Sequence, residues 1–185
     1  GPGDDRIKSI ATDKSGNIYF GGQTSSSSSI ATTGAYQTTR SSTSSTGVDA
    51  MLSKFARNGK LCWTTYYGGT QDESITKIII DGRKSPIVVG YTSSTNFPVS
   101  SGCKQSSNAG NVDGFIIKFS DTGQRKWATY FGGTQNDNIY GVDVDQNYNI
   151  YFGGSTGSNN ASIVSAGVWK PSRTSTDIEG WLGKF

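Results

Sequence analysis

Three carboxylic acids recur at matching places along the chain and are the first residues that could do chemistry. Asp5, Glu73 and Asp137 each stand before a short β-branched run and directly after an acid or an amide. Carboxylate oxygens are the ligands that Ca²⁺ prefers, so one interpretation is a calcium or polar-ligand site where the three converge. The other is structural, because Asp and Asn close turns by accepting bonds from backbone N–H groups. Since a structural need recurs in every repeat, we expect no cofactor, with calcium as the alternative.

Aromatic residues within hydroxyl-rich stretches form the second group. Tyr36 and Trp169 lie among Ser and Thr residues, and an aromatic ring beside hydroxyls and amides is typical of glycan-binding sites. Anchoring of a loop would explain the same placement. Trp63 and Trp127 recur at one position of the repeat and are interpreted as packing between repeats, with sugar stacking as the alternative.

The remaining composition excludes several classes of site. Cys62 and Cys103 are the only cysteines; one disulfide and two free thiols fit this count equally, and two cysteines without histidine cannot form a zinc site. The chain has no histidine, the side chain most used for proton transfer near neutral pH. A net charge of +3 without a large basic cluster argues against nucleic acid, and no apolar run is long enough for membrane insertion.

The candidate residues recur because the chain repeats itself. Four short segments return at a spacing of about 65 residues. The first starts with Ile and ends with Asp, the second reads N-I-Y-F-G-G in two of its copies, the third ends with Lys-Phe, and the fourth reads W-x-T-Y-(Y/F)-G-G. They lie at 7–13, 75–81 and 139–145; 17–22, 85–90 and 149–154; 49–55, 113–119 and 179–185; and 63–69 and 127–133.

Each segment has the pattern of a β-strand. The segments are short, β-branched or aromatic, and bounded by Gly, Asn, Asp or Ser, as strands joined by tight turns are. Four antiparallel strands repeated at this spacing indicate the blade of a β-propeller. The predicted fold is therefore all-β, with blades at 1–69, 70–133 and 134–185 that form one propeller segment. The third blade is predicted to lack its outer strand.

The same segments resemble a known family. The W-x-T-Y-(Y/F)-G-G-T segment, followed by I-x-x-D-x-x-G-N-I-Y-F-G-G-x-T-S-S, is similar to the SBBP-type β-propeller repeat of bacterial secreted and surface proteins, as are T-G-A-Y-Q-T at 33–38 and D-A-M-L-S-K-F at 49–55. The resemblance implies a non-catalytic module that is extracellular or at the cell surface, often within large adhesin-like proteins. A disulfide between Cys62 and Cys103 would fit such a location. The resemblance implies no particular ligand.

Three blades form an arc, so the two end blades are expected to expose apolar faces, which are association sites. Two partners would cover them: further copies of the chain, a pair of which would close a ring of six blades, or the rest of a longer propeller chain.

The expected function is adhesion or scaffold-type binding of a protein or glycan ligand, without enzymatic activity. The contact surface would be the long Ser/Thr-rich loops at 24–48, 92–112 and 156–178. A lectin assembled as an oligomeric propeller is the first alternative. A piece of a propeller enzyme is the second, because T-G-x-x-x-W at 122–127 resembles an element of quinoprotein dehydrogenases and, loosely, the Asp box of sialidases. The absence of histidine argues against this second alternative.

Overall fold

The computed structural model describes residues 1–45, 47–159 and 177–185, and every regular element in them is a β-strand. The strands fall into three antiparallel sheets, which we call blades 1, 2 and 3. Blade 1 holds β1 (Asp5–Thr12), β2 (Ile18–Thr24), β3 (Asp49–Phe55) and β4 (Leu61–Tyr67). Blade 2 holds β5 (Glu73–Ile80), β6 (Pro86–Thr92), β7 (Asp113–Phe119) and β8 (Arg125–Phe131). Blade 3 holds β9 (Asp137–Val144), β10 (Ile150–Thr156) and β11 (Glu179–Lys184).

The predicted all-β propeller architecture is confirmed. Strands follow one another across each blade in chain order, β1-β2-β3-β4 and β5-β6-β7-β8, while the described part of blade 3 has three strands in the order β9-β10-β11. The third blade therefore lacks an outer strand among the described residues, as the repeats predict. No helix in this part of the chain has the length and apolar character to cross a membrane.

An aspartate closes the hairpin between the first two strands of every blade. Asp13 accepts the backbone N–H groups of Ser15 and Asn17 at 2.8 and 3.0 Å. The equivalent carboxylates of Asp81 and Asp145 accept the corresponding pairs of N–H groups in their own turns. These side chains take the place of a backbone partner inside the turn, which explains why the acid recurs at this position.

The core lies between blades rather than within one sheet. Each blade has a forward face, on the side of the blade that follows it in the chain, and a rear face on the opposite side. The forward faces are represented by Tyr19 and Leu52 in blade 1, Ile87 and Ile116 in blade 2, and Tyr151 and Leu182 in blade 3. Two apolar clusters join forward to rear faces, one between blades 1 and 2 and one between blades 2 and 3.

The outward faces of the end blades are exposed in the described part of the chain. Leu52 and Ile116 are fully buried because a following blade covers them, whereas the equivalent Leu182 is 78 % exposed. On the rear face of blade 1, Ile7 and Ile10 are 50 and 65 % exposed. Apolar surface of this kind is favourable to bury, so both ends of the arc have the character of interfaces.

Candidate functional site

A polar groove lies between blades 1 and 2. It has a volume of about 370 Å³. One wall comes from the long loop of blade 1, the floor from β3 and β4, and the other wall from the turn after β7 in blade 2. The groove is lined by Thr32, Thr33, Gly34, Ala35, Lys54, Cys62, Trp63, Thr65, Asp121, Thr122 and Gly123.

A carboxylate in the blade 2 wall of the groove is bonded to blade 1. The Lys54 ammonium group donates a hydrogen bond to Asp121 Oδ1, and the Tyr19 hydroxyl donates to the same oxygen at 2.8 Å. Lys54 also lies 5.3 Å from the centroid of the Tyr19 ring. We call this Lys–Tyr pair the carboxylate cradle. Partial burial raises the pKa of Asp121, but the bonds from Lys54 and Tyr19 outweigh it and hold the pKa below its usual value.

Trp63 packs between the blades and does not offer its ring to a ligand. Its indole N–H donates to the backbone oxygen of Asp121 at 2.9 Å, and the side chain is 9 % exposed. The ring lies so close to Gly123 that a Cβ there would come within 2.7 Å of it. The turn therefore covers the ring, so the groove presents hydroxyls, an amine and a carboxylate rather than an aromatic stacking platform.

The three recurring acids do not converge. Asp5, Glu73 and Asp137 each lie in a different blade and bond within it. Glu73, for example, accepts a bond of 2.6 Å from the Thr92 hydroxyl and one of 3.0 Å from the Gly69 N–H. Hydroxyl groups also donate to Asp5 and to Asp137. Among the described residues no group of three His, Cys, Asp or Glu side chains is placed to hold a metal ion. The bonds to hydroxyl and N–H groups are those that the structural interpretation predicts.

Two of these acids instead meet a second buried carboxyl group at the junction of two blades. Asp49 and Glu73 both crowd Gly68, and Asp113 and Asp137 both crowd Gly132. All four side chains are at most 1 % exposed. Burial, and the nearby charge of Asp49, raises the pKa of Glu73 to about 7. Burial and the charge of Asp137 raise the pKa of Asp113 to about 6. These acid pairs were not predicted from the sequence.

Of the two aromatic residues predicted to bind a ligand, the structure describes only Tyr36. Tyr36 stacks on Tyr67 with ring centroids 5.4 Å apart and an angle of 16°, and the guanidinium group of Arg125 lies 5.2 Å from its ring centroid. These contacts tie the loop of blade 1 to the sheets and are those of a loop anchor. Trp169 lies outside the described residues.

A glutamine fixes each described long loop to the strands beneath it. In blade 2, the Gln105 amide group donates to Asp113 Oδ2 at 2.6 Å, its carbonyl accepts the Gly132 N–H at 2.9 Å, and its backbone N–H donates to the Thr129 hydroxyl at 2.9 Å. Gln37 makes the same three kinds of contact in blade 1. The sequence shows a glutamine at both places. Its role as a clamp is visible only in the structure, where the loop lies beside the outer strand of its blade.

We expect a Gln105→Ala variant to lose about 2–3 kcal/mol of unfolding free energy. The substitution removes three side-chain bonds, to Ser107, Asp113 and Gly132. It deprives a buried carboxylate of one donor, and buried polar groups without partners are costly. Chemical denaturation measures the loss. Gln71→Ala is the matched control, since that side chain is exposed and lies outside the clamp; equal stability of the two variants would contradict the clamp.

The two cysteines are free thiols, so the disulfide alternative is wrong for this structure. Cys62 is exposed and Cys103 is half-buried. The Cys103 thiol donates to the carbonyl of Gln105 at 3.2 Å, and that of Cys62 lies 3.8 Å from the carbonyl of Lys60. Each sulfur is thus engaged within its own hairpin or loop.

The comparison with protein families agrees with this architecture. The SBBP family model, described as a beta-propeller repeat, matches residues 1–28 and 126–160. The second match runs from the outer strand of blade 2 through the first two strands of blade 3. A search among curated proteins finds no match. Residues 1–28 and 126–160 thus match the SBBP beta-propeller repeat, and the three consecutive antiparallel sheets have the form of propeller blades.

Proposed function

We propose that the chain is a non-catalytic binding module, extracellular or at the cell surface, whose long loops contact a protein or glycan in adhesion or scaffolding. A beta-propeller repeat suggests a binding or scaffold module in general. The observation that supports binding through the long loops is the glutamine clamp, which holds each described loop on a rigid sheet. Loops presented by a rigid scaffold are where binding residues are commonly found.

The use of the ionisable side chains also favours binding over catalysis. The buried acids each bond to loop or turn groups of the blades, and the groove acid Asp121 is held by the cradle. A general acid or base needs a proton-transfer group within reach of substrate. The buried acids and Asp121 instead bond to turns, loops and blade junctions.

A lectin is the second candidate, and the groove is the observation that favours it. Thr33 and Thr122 are exposed at its rim beside the Lys54–Asp121 pair. Hydroxyl, amine and carboxylate groups in a cleft of this size can bond the hydroxyls of a sugar.

Binding to a glycan array and to a panel of immobilised extracellular matrix proteins tests both candidates. Thr33→Trp fills the groove, and Thr39→Trp places the same bulk on an exposed part of the same loop outside it. We expect Thr39→Trp to weaken binding if the loop surface is the contact, whereas a loss confined to Thr33→Trp would indicate the lectin. Turnover of a sialoside, or substrate oxidation dependent on added quinone, would contradict the non-catalytic proposal.

A further inference from the structure

The carboxylate cradle joins one blade to the next. Lys54 and Tyr19 belong to blade 1, whereas the Asp121 that they hold is in the turn after β7 of blade 2. The Lys54 side chain is only 8 % exposed in this contact. The Asp121 side chain is 45 % exposed, so salt still screens the pair in part. A residue of positive charge in place of Asp121 would be repelled by Lys54.

Blade 3 carries the same cradle on its forward face. Lys184 lies 5.4 Å from the centroid of the Tyr151 ring, against 5.3 Å for Lys54 and Tyr19. The Tyr151 hydroxyl lies 3.2 Å from Asp145 Oδ2, as that of Tyr19 lies 3.4 Å from Oδ2 of its own turn aspartate, Asp13. The second cradle is therefore already formed, yet no described carboxylate from another blade lies on Lys184.

Blade 2 has no such cradle, which shows that the feature is not common to every repeat. Ile87 stands at the position of the tyrosine. The equivalent lysine, Lys118, forms an ion pair of 2.7 Å with Asp81 of its own blade. Its charge is used within the blade and is not offered to a turn of the next one.

The apolar surface around the second cradle is also without cover in the described structure. Leu182 is 78 % exposed beside Lys184, whereas Leu52, its equivalent beside the filled cradle, is fully buried under blade 2. The forward face of blade 3 thus repeats both the apolar and the charged part of a contact that is complete elsewhere in the molecule. This continuity points to a blade of the same repeat type as its occupant.

The charge of the turn after the third strand decides which blade can dock on the cradle of blade 3. Blade 2 offers Asp121 two residues after Phe119, and the equivalent residue of blade 1, two after Phe55, is Arg57. A second copy that docked its blade 1 would place Arg57 against Lys184. Like charges brought together in an interface suppress association.

We propose that the forward face of blade 3 docks a further SBBP-type blade with a carboxylate in the turn after its third strand, rather than a second copy of this chain. Of the two partners expected from the sequence, this selects the rest of a longer propeller. The inference deepens the proposed scaffold function by naming the partner of one face. Its test measures association between blades, so it is independent of whether the loops bind a glycan or a protein.

Either of two single substitutions would make the two ends of the chain complementary in charge, so that copies of the chain can test the proposed contact. Arg57→Asp gives blade 1 the acidic turn that the cradle requires, and Lys184→Glu gives the cradle a charge that suits Arg57. We expect the wild-type chain to stay at 19.6 kDa in light scattering and sedimentation, and each single variant to self-associate at least tenfold more tightly. The double variant should be monomeric again, because both substituted side chains would then be carboxylates facing each other. Lys60→Asp, the same charge change in the same exposed hairpin, is the control and should not associate.

The pattern across the four charge combinations decides the proposal. Association of both single variants that weakens in high salt, with monomeric wild type and double variant, supports it. Wild-type chains that associate as tightly as Arg57→Asp would overturn it, because a second copy would then be a suitable occupant. Single variants that remain monomeric, as judged by unchanged mass and unchanged folding in circular dichroism, would overturn it as well.

Discussion

A Gly90→Ala variant is expected to lose about 3 kcal/mol or more of unfolding free energy, and its melting temperature to fall by roughly 10 °C. Strand β6 faces a bulge in β5, where the pairing register shifts between Ile75 and Lys77. A Cβ on Gly90 would lie 1.9 Å from the backbone oxygen of Ser74 and 2.8 Å from the Phe115 ring. A backbone oxygen within the ladder cannot move aside without breaking the register that places β5 against blade 1. Thermal unfolding followed by circular dichroism measures the effect.

The same crowding occurs in every blade, and a second glycine provides the control. Gly22 and Gly154 would bring a Cβ to 1.9 and 1.8 Å from a backbone oxygen opposite. Gly141, also inside a strand, has its nearest atom at 3.9 Å, so Gly141→Ala should change the unfolding free energy by no more than about 0.5 kcal/mol. Equal melting temperatures for Gly90→Ala and Gly141→Ala would show that the bulge does not require glycine.

The sequence predicts the blades well because each strand is bounded by residues with a local role. Turn aspartates such as Asp13 and Asp145 bond inside their own hairpins, so their effect is visible within a few residues. Repetition then reveals which apolar runs are equivalent. The same locality explains the interpretation of Asp5, Glu73 and Asp137 as structural, since each bonds to a hydroxyl of the adjoining strand or of the residues just beyond it.

Contacts between blades were not predictable in the same way. Lys54 and Asp121 are far apart in the chain and meet only because blade 2 stacks on blade 1. Glu73 lies near Asp49 for the same reason, since one begins the first strand of a blade and the other the third strand of the blade before it. Repetition shows that a residue recurs but gives no distance to the next repeat, so the cradle and the acid pairs required the structure.

Raising the pH from about 5 to about 8 is expected to destabilise the protein and to lower its melting temperature by roughly 5–10 °C. The folded state raises the pKa of Glu73 to about 7 and that of Asp113 to about 6, while both groups have ordinary values near 4 when unfolded. Between those values the folded state binds more protons than the unfolded state, so stability falls as the pH rises. The contribution of Glu73 alone is on the order of 3 kcal/mol.

The turn aspartates have the opposite effect, because their contribution to the unfolding free energy is lost at acidic pH. Burial opposes their ionisation, but bonds from their turns or from a lysine hold the pKa of Asp13, Asp81 and Asp121 below the usual value. Their contribution is present above the unfolded pKa and is lost as the pH falls through the lower folded value. Stability should therefore be greatest near pH 5, between the two groups of carboxylates.

A Glu73→Gln variant measures how much of the pH dependence comes from the Asp49–Glu73 pair. The amide still accepts the Thr92 hydroxyl bond through its oxygen but cannot ionise, so the loss of stability between pH 5 and 8 should shrink by about half. Its NH₂ group cannot accept the Gly69 N–H, and the variant should therefore be somewhat less stable than wild type at pH 5. Asp72→Asn removes the adjacent exposed carboxylate and should keep the wild-type slope. An undiminished slope in Glu73→Gln would mean that the proton taken up on folding resides elsewhere.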